Sequence, residues 1–230
     1  MPQEMALEMV GTGEKTGDGE NTVSLIDVAA AVPTRRLSST QRARREGILE
    51  AAVRLLEDRE YEQIQIRQVA EAAGVALATL YRYFPSKEQL YAYALSTWGS
   101  TFDLTVRIRT RTQDTDATRL LYVLRRTVRA YEHSPNFYRL TRSLEAATDP
   151  VVRSVFGGFA ERFFRVMEDV LVDTDEEDVR TIVRVATSVL GVLLNDWALG
   201  GLPIRRVYEE LEKTIAIMFS EPRPRRRTAT

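Results

Sequence analysis

Residues that can hold phosphate groups are concentrated between positions 42 and 87 of this sequence. Arginines cluster around the start of one predicted helix, and a shorter helix further along carries three hydroxyl side chains. A lysine follows near the start of the next helix, where free backbone N–H groups also favour an anion. Guanidinium, ammonium and hydroxyl groups are donors that proteins present to a DNA backbone. The candidate phosphate contacts are Arg42, Arg44, Arg45, Arg67, Thr79, Tyr81, Tyr83 and Lys87.

Each group of candidates has a second interpretation. Cations at a helix N-terminus oppose the helix dipole, so the arginine cluster indicates an external anion, but it also fits a solvated basic face. The tyrosines either donate hydroxyls to phosphates or fill half-buried positions of a core. Ala76 and Leu77 begin the hydroxyl-bearing helix and offer little hydrogen bonding to base edges, although Leu77 can contact a thymine methyl.

Two short helices joined by a tight turn position these groups. The first spans residues 66–73, carries one apolar face, and is ended by Gly74. The second spans residues 76–84 and is ended by Pro85, since a proline pushes the preceding residue out of the helical region. Its inward-facing residues are predicted to be Leu77, Leu80 and Phe84. This arrangement predicts a helix-turn-helix, and Ser86 is suited to cap the helix that follows.

The run Thr79-Leu80-Tyr81-Arg82-Tyr83-Phe84, followed by Ser86-Lys87-Glu88 and Leu90, resembles the DNA-binding motif of the TetR family of bacterial transcriptional regulators. Together with the Gln-Arg-Ala-Arg-Arg sequence at residues 41–45, it is also similar to regulators of steroid and lipid catabolism in actinobacteria. The resemblance implies a homodimeric repressor on a palindromic, double-stranded operator. It further implies release by a small hydrophobic effector such as a lipid, a steroid or an acyl-CoA thioester.

Composition adds limits to the function and the compartment. The 230 residues carry a net charge of −1, so DNA binding must rest on one basic face and not on the whole molecule. The chain has no cysteine, which fits a cytoplasmic protein. No apolar run is long enough to span a bilayer, and no signal peptide is recognised, so no membrane association is expected.

The fold class predicted from periodicity is all-α, with an N-terminal three-helix DNA-binding domain and a C-terminal helical bundle. Helices are predicted over residues 41–57, 66–73, 76–84, 86–110, 120–133, 137–147, 150–170, 179–199 and 203–219, with a loop at residues 112–118. Four regions follow: a flexible acidic arm at 1–37, the helix-turn-helix domain at 38–84, a ligand-binding and dimerisation domain at 85–220, and a basic disordered tail at 221–230. The arm is either an extension without function or a competitor with DNA for the basic surface.

Aromatic residues on inward-compatible faces predict an elongated apolar cavity in the second domain. The candidate ligand contacts are Trp98, Phe102, Tyr122, Phe137, Phe156, Phe159, Phe163 and Asn195. Gly157 and Gly158 remove volume beside this set, and Arg142 and Arg153 are placed to meet an acidic head group at its mouth. A fully packed aromatic core is the alternative, and Asn195 fits either a ligand contact or a satisfied core position.

The helix at residues 179–199 is apolar on nearly every side, which predicts a subunit interface. No catalytic residue set, metal motif or cofactor motif accompanies the single histidine, His133, so an enzyme is not expected. The interpretation is therefore a ligand-responsive transcriptional regulator. A ligand-independent activator or architectural DNA binder, and a helical enzyme, are the alternatives.

Overall fold

The all-α prediction is confirmed by the computed structural model, which describes residues 37–101 and 114–220. Within these residues the helices are α1 (Ser39–Asp58), α2 (Ile66–Ala72), α3 (Leu77–Tyr83), α4 (Lys87–Thr101), α5 (Asp116–His133), α6 (Pro135–Glu145), α7 (Pro150–Asp169), α8 (Glu176–Ala198) and α9 (Ile204–Met218). A single 3-10 turn at Tyr61–Gln63 separates α1 from α2. The predicted arm and tail, except Leu37, lie outside the described residues.

Local signals in the sequence set the ends of the first three helices. Ser38 Oγ accepts from the Gln41 N–H at 3.2 Å, and Gln41 Oε1 accepts from the Ser38 N–H at 2.9 Å, which together form a capping box. Gly74 has φ of 64°, the left-handed conformation that lets the chain turn directly from α2 toward α3. The predicted helix-turn-helix therefore exists, and α3 itself runs from Leu77 to Tyr83.

Helix α4 is the central element of the fold. Its residues from Leu90 to Ser96 are all buried, so two successive turns are enclosed on every side. It packs against α1 on one side and α7 on the other. One continuous apolar core accordingly runs from α1 to α9, and the proposed division between residues 84 and 85 stays a prediction. The predicted extension of α4 to residue 110 lies outside the described residues.

The predicted loop at residues 112–118 is wrong in its second half, because α5 begins at Asp116. Thr115 Oγ1 accepts from the Thr118 N–H and caps the helix. The Asp116 carboxylate accepts from the N–H groups of Val172 and Asp173 and from the Thr174 hydroxyl, so it holds the α7–α8 connection. A polar stretch is here helical because its charged groups have partners more than fifty residues away.

Two further helices begin earlier than predicted. Helix α6 starts at Pro135, where a proline at the first position loses no intrahelical hydrogen bond. Helix α8 starts at Glu176, and its first turn contains three acids that favour a helix N-terminus. None of the helices in residues 37–101 and 114–220 is long and apolar enough to cross a membrane.

Candidate DNA-binding and effector sites

The outer face of α3 is open to solvent. Leu77 is 39% exposed and Tyr81 43% exposed, and Ala76, Ala78 and Arg82 are exposed beside them. Leu77 was predicted to face inward, but it is the first residue of α3 and lies beyond the core that covers Leu80. This exposure is compatible with the other expectation for Leu77, contact with a thymine methyl. Thr79 is half-buried on the same helix.

Three predicted arginines lie at the surface of α1 and α2. Arg42 is exposed, and its Nη1 donates to the Leu37 carbonyl at 2.9 Å. Arg44 is exposed on the first turns of α1. Arg67, on α2, lies 3.8 Å from Glu71, and both side chains remain well exposed. Weak surface pairs of this kind are readily exchanged for a phosphate partner.

Arg45 departs from the expectation because its side chain is only 8% exposed. Its guanidinium lies 5.1 Å from the Phe84 ring centroid and 4.6 Å from that of Tyr93. Burial lowers the pKa of Arg45, while Tyr93 and Glu46 act in the opposite direction. Arg45 is thus a cation held between two rings at the junction of α1, α3 and α4, and it is removed from the candidate phosphate contacts.

The polar groups of Lys87 and Tyr83 are also turned away from the surface of α3. The Lys87 ammonium donates to the Tyr61 carbonyl and lies 4.1 Å from the Tyr61 ring centroid. Burial lowers the pKa of Lys87 and raises that of Tyr61 to about 12. The Tyr83 hydroxyl is buried, with no hydrogen-bond partner among the described residues. The groups that remain exposed are Tyr81, the surface arginines and Arg82, a cation absent from the predicted set although the motif contains it.

The predicted effector residues separate into two groups. Trp98 and Phe137 are buried and stacked, with ring centroids 4.3 Å apart and planes at 11°. Tyr131 lies 5.6 Å from Trp98, and Tyr138 lies 5.3 Å from Tyr131. This chain of rings is a packed core at the crossing of α4, α5 and α6, as the alternative interpretation held for these two residues.

The second group lies along α7 and is only half-buried. Phe156 and Phe159 have ring centroids 6.2 Å apart, and Phe163 follows one turn later. We call these three residues the α7 aromatic row. Phe159 contacts α4 at Gly99, where an added Cβ would lie 2.5 Å from Cε2 of the ring. Gly99, and not Gly157 or Gly158, is the position where two helices approach closely.

The remaining effector candidates lie elsewhere. Tyr122 is on the outer surface of α5, 44% exposed and beside Arg126, and so does not line the interior. Asn195 is half-buried on α8. Arg142 pairs with Glu145 at the surface, and Arg153 is exposed. Phe102 lies outside the described residues.

Three side-chain contacts connect helices distant in sequence: two join α1 and Glu60, just after it, to α6, and one joins α4 to α7. Asn136 Nδ2 at the start of α6 donates to the Leu56 carbonyl at 3.0 Å. Arg139, one turn later, forms an ion pair with Glu60. Gln89 Nε2 in α4 donates at 2.9 Å to Asp149, the carboxylate that caps α7. Polar contacts therefore link α6 to α1 and α7 to α4 in addition to the apolar core.

Apolar side chains also remain at the surface of α8 and α9. Val192 is 62% exposed on α8, and the exposed Val185 and Leu199 lie seven residues before and after it, Leu199 directly following the helix. Ile217 is exposed on α9, which packs against α8. Soluble proteins rarely leave such a row uncovered unless it forms an interface. Nowhere in the described part of the chain do three Asp, Glu or His side chains come together as a metal site.

Comparisons with known proteins agree on one family. Residues 48–94 match the profile of "Bacterial regulatory proteins, tetR family". The chain is 31% identical to the HTH-type transcriptional repressor KstR of Rhodococcus jostii, over 80% of this chain and 86% of that protein. It is 29% identical to KstR of Mycolicibacterium smegmatis, over 87% of this chain and 100% of that protein. A crystal structure of a TetR transcriptional regulator from Rhodococcus sp. RHA1 superposes with a TM-score of 0.63 at 27% identity, covering 79% of this chain and 97% of that one.

Proposed function

Because this chain belongs to the TetR family of bacterial regulatory proteins, we propose that it is a homodimeric repressor that binds a palindromic operator and is released by a small hydrophobic effector. The chain is a transcriptional regulator and not an enzyme, as expected from its sequence. The observation that carries the proposal is the open face of α3, which presents Leu77, Tyr81 and Arg82 together.

The DNA contact follows from the chemistry of that face. Helix α3 enters the major groove, and Leu77 and Ala76 make apolar contact with base edges. Tyr81, Thr79 and Arg82 hold the adjoining phosphates, while Arg42, Arg44 and Arg67 extend the basic surface along α1 and α2. Few polar groups reach the bases, so we expect much of the affinity to come from the backbone and to fall with salt.

A dimer supplies the second recognition helix. The exposed row of Val185 and Val192 on α8 and Leu199 at its end, with Ile217 on α9, supports an isologous interface in which each row covers its symmetry mate. Two copies of α3 then face one side of the duplex, and their separation sets the spacing of the half-sites.

The effector acts through the same helices that join the two halves of the protomer. Helix α4 contacts α1 and α7, so a ligand that displaces the α7 aromatic row also displaces the helix that follows the recognition helix. The ligand changes operator affinity only by the difference in its own affinity for the two arrangements. The sequence resemblance favours a lipid, a steroid or an acyl-CoA thioester in this role.

Selection of DNA fragments by the purified full-length protein tests the proposal directly. We expect an inverted repeat, bound by one dimer, whose affinity falls when a sterol or fatty-acyl compound that raises the melting temperature is added. Recovery of no common sequence would contradict operator binding. Stabilising compounds that leave DNA affinity unchanged would contradict release by an effector.

A further inference from the structure

A half-buried arginine on α7 lies beside the α7 aromatic row without an acidic partner. Arg162 Nη2 donates to Ser96 Oγ on α4 at 2.6 Å, and Ser96 itself is buried. Among the described residues no aspartate or glutamate lies within ion-pairing distance of Arg162. Its neighbour Glu161 pairs instead with Arg165 at 3.1 Å. The guanidinium charge thus has one neutral hydrogen-bond partner.

The buried Arg119 shows the contrast, because it forms ion pairs with Asp116 and Asp173. Burial lowers the pKa of Arg162, and the charge of Glu161 acts in the opposite direction. Burial removes part of the water around this cation, and an anion bound beside it supplies the missing counter-charge.

The position of Arg162 joins this charge to an apolar surface. It follows Phe159 by one helical turn and precedes Phe163 by one residue on the same helix. A Cβ on Gly158 would lie 3.9 Å from Nη1 of Arg162, so the glycine leaves that side of the guanidinium uncovered. Nη1 makes no hydrogen bond to another described residue, and a planar guanidinium is well matched to a carboxylate or phosphate.

We propose that Arg162 binds the anionic group of an amphipathic effector whose apolar body lies along Phe156, Phe159 and Phe163. The proposal rests on the effector-binding role inferred above and specifies the effector as an acid or an acid derivative. A free carboxylate and the phosphates of a CoA thioester share the chemistry that Arg162 recognises. The two sources differ in where the charge stands relative to the acyl chain.

Binding titrations with matched acids and esters test the proposal on the full-length protein. The probes are dodecanoate, hexadecanoate and cholanoate, each paired with its methyl ester and used below its aggregation concentration. We expect the wild-type protein to bind at least one acid about tenfold more tightly than its ester, since hydrogen bonds to charged groups contribute on this scale. Arg162→Met should abolish that preference, and Arg162→Lys should retain part of it.

Two control variants separate binding from a structural role. Arg165→Met removes an exposed arginine from the same helix and should leave the preference intact. Ser96→Ala removes the hydrogen bond that ties α7 to α4 but keeps the Arg162 charge, and it should also retain the preference. A melting temperature that falls equally in Ser96→Ala and Arg162→Met, with the acid preference lost only in the second, supports a ligand contact.

Further measurements distinguish a carboxylate from a phosphate as the bound anion, and binding at Arg162 from the release of DNA. If Arg162→Met weakens binding of dodecanoyl-CoA but not of dodecanoate, the recognised group is a phosphate. The proposal is overturned if no acid or CoA thioester binds more tightly than its ester to the wild-type protein, or if Arg162→Met binds them as the wild type does. An acid that binds through Arg162 without releasing selected DNA leaves this site in place and contradicts only the proposed induction.

Discussion

At the scale of single residues, neighbouring arginines on α1 have different environments. Arg44 is exposed, whereas Arg45 lies between Phe84 and Tyr93. We expect Arg45→Gln to lower the free energy of unfolding by about 1–2 kcal/mol, the range for desolvated cation–π contacts. The slope of log K against log salt for DNA binding should not change in this variant.

Arg44→Gln is the matched comparison for Arg45. It should leave stability unchanged and reduce the salt slope by about 0.9, the value for one lost phosphate contact. Thermal unfolding and DNA titrations at several salt concentrations measure both quantities. An equal loss of slope in the two variants would show that Arg45 leaves its aromatic pocket to contact DNA.

The two tyrosines of α3 make a second matched pair. Tyr81→Phe removes an exposed hydroxyl and should weaken DNA binding by about 0.5–1.5 kcal/mol, the usual contribution of one hydrogen bond. Tyr83→Phe removes a buried hydroxyl that has no partner among the described residues. It should leave DNA binding unchanged and the melting temperature equal or slightly higher. If Tyr83→Phe weakened DNA binding, the Tyr83 hydroxyl would have to contact the DNA after all.

The sequence predicts the kind of side chain at each of these positions but not whether that side chain is buried. Arg44 and Arg45 are adjacent in the sequence, and only the packing of Phe84 and Tyr93 around one of them separates their roles. Lys87 was predicted from the start of α4, yet its ammonium is held by the Tyr61 carbonyl, which comes from a 3-10 turn that no periodic pattern marks. No sequence pattern predicted a binding role for Arg162, because a single arginine in an amphipathic helix is usually a solvated charge.

At the scale of helices, the crossing of α4 and α7 depends on the missing side chain at Gly99. A Cβ there would lie 2.5 Å from Cε2 of Phe159, so Gly99→Ala must displace the ring. We expect this variant to lower the free energy of unfolding by about 1–3 kcal/mol, as is typical when a packed interior is overfilled. The double variant Gly99→Ala with Phe159→Leu should cost less than the sum of the single changes. Chemical denaturation of the four proteins in this cycle measures the coupling.

Gly157→Ala is the control for the Gly99 prediction. An added Cβ at Gly157 meets nothing within 4 Å, and alanine is favoured over glycine inside a helix by up to about 1 kcal/mol. This variant should therefore be as stable as the wild type or more so. Strictly additive costs in the Gly99 and Phe159 cycle would contradict the crowding read from the structure.

The connection between α5 and the α7–α8 turn should respond to acid. Asp116 and Arg119 are each about 5% exposed, and Arg119 also binds the Val170 carbonyl at 2.8 Å. Burial alone raises the pKa of Asp116, but hydrogen bonds from Thr174, Arg119 and the Asp173 N–H outweigh it, so the net pKa is lowered. The stabilisation is therefore present above the ordinary value near 3.8 and is lost as pH falls through the depressed value.

Asp116→Asn should consequently lower the free energy of unfolding at neutral pH by about 3 kcal/mol, because the buried Arg119 loses one of its two negatively charged partners. The difference in the free energy of unfolding between the variant and the wild type should become smaller below about pH 4. Denaturant titrations across the acid range measure this difference. Asp173→Asn, which changes a largely exposed partner, should cost no more than about 1 kcal/mol. A constant gap from pH 7 to pH 3 would rule out the ionised carboxylate as the source.

Helix positions were predictable from the sequence where local signals decide them. The Gly74 turn and the proline boundaries act within a few residues, and the sequence predicted them to within two residues. The start of α5 was missed since Asp116 and Arg119 are satisfied by residues 170–174, which are distant in sequence. The same limit applies to the effector residues: spacing placed Trp98 and Phe137 on an inward face, but it could not distinguish a stacked core pair from a half-buried row such as that of α7.

At the scale of the whole molecule, the exposed apolar row on α8 predicts the assembly state. Val192→Glu places a charge on a side chain that is 62% exposed in the protomer, so folding of the protomer should be preserved while the dimer is lost. A charge at Leu193 or Val189 would be less selective, because both side chains are half-buried within the protomer. Light scattering at micromolar concentration should give a monomer for Val192→Glu and a dimer for Ser143→Glu, an exposed control on α6.

DNA binding by the monomeric variant tests the same interface independently. A monomer presents one recognition helix and should bind a palindromic site with much lower affinity and no preference for half-site spacing. A wild-type protein that is monomeric at micromolar concentration, or a Val192→Glu variant that remains dimeric, would show that the subunits meet elsewhere.

The chain of rings at the centre of the molecule has an optical consequence. The protein contains two tryptophans; Trp98 is stacked on Phe137, and Trp197 lies 6.4 Å from Tyr138 at the other end of the same chain. Since Trp98 belongs to α4, any displacement of that helix against α6 changes the stacking and with it the emission of the indole. Replacing Trp197 with phenylalanine leaves Trp98 as the single tryptophan, which can be excited selectively over the tyrosines. The protein thus carries its own reporter for the movement of α4, readable in solution without an attached dye.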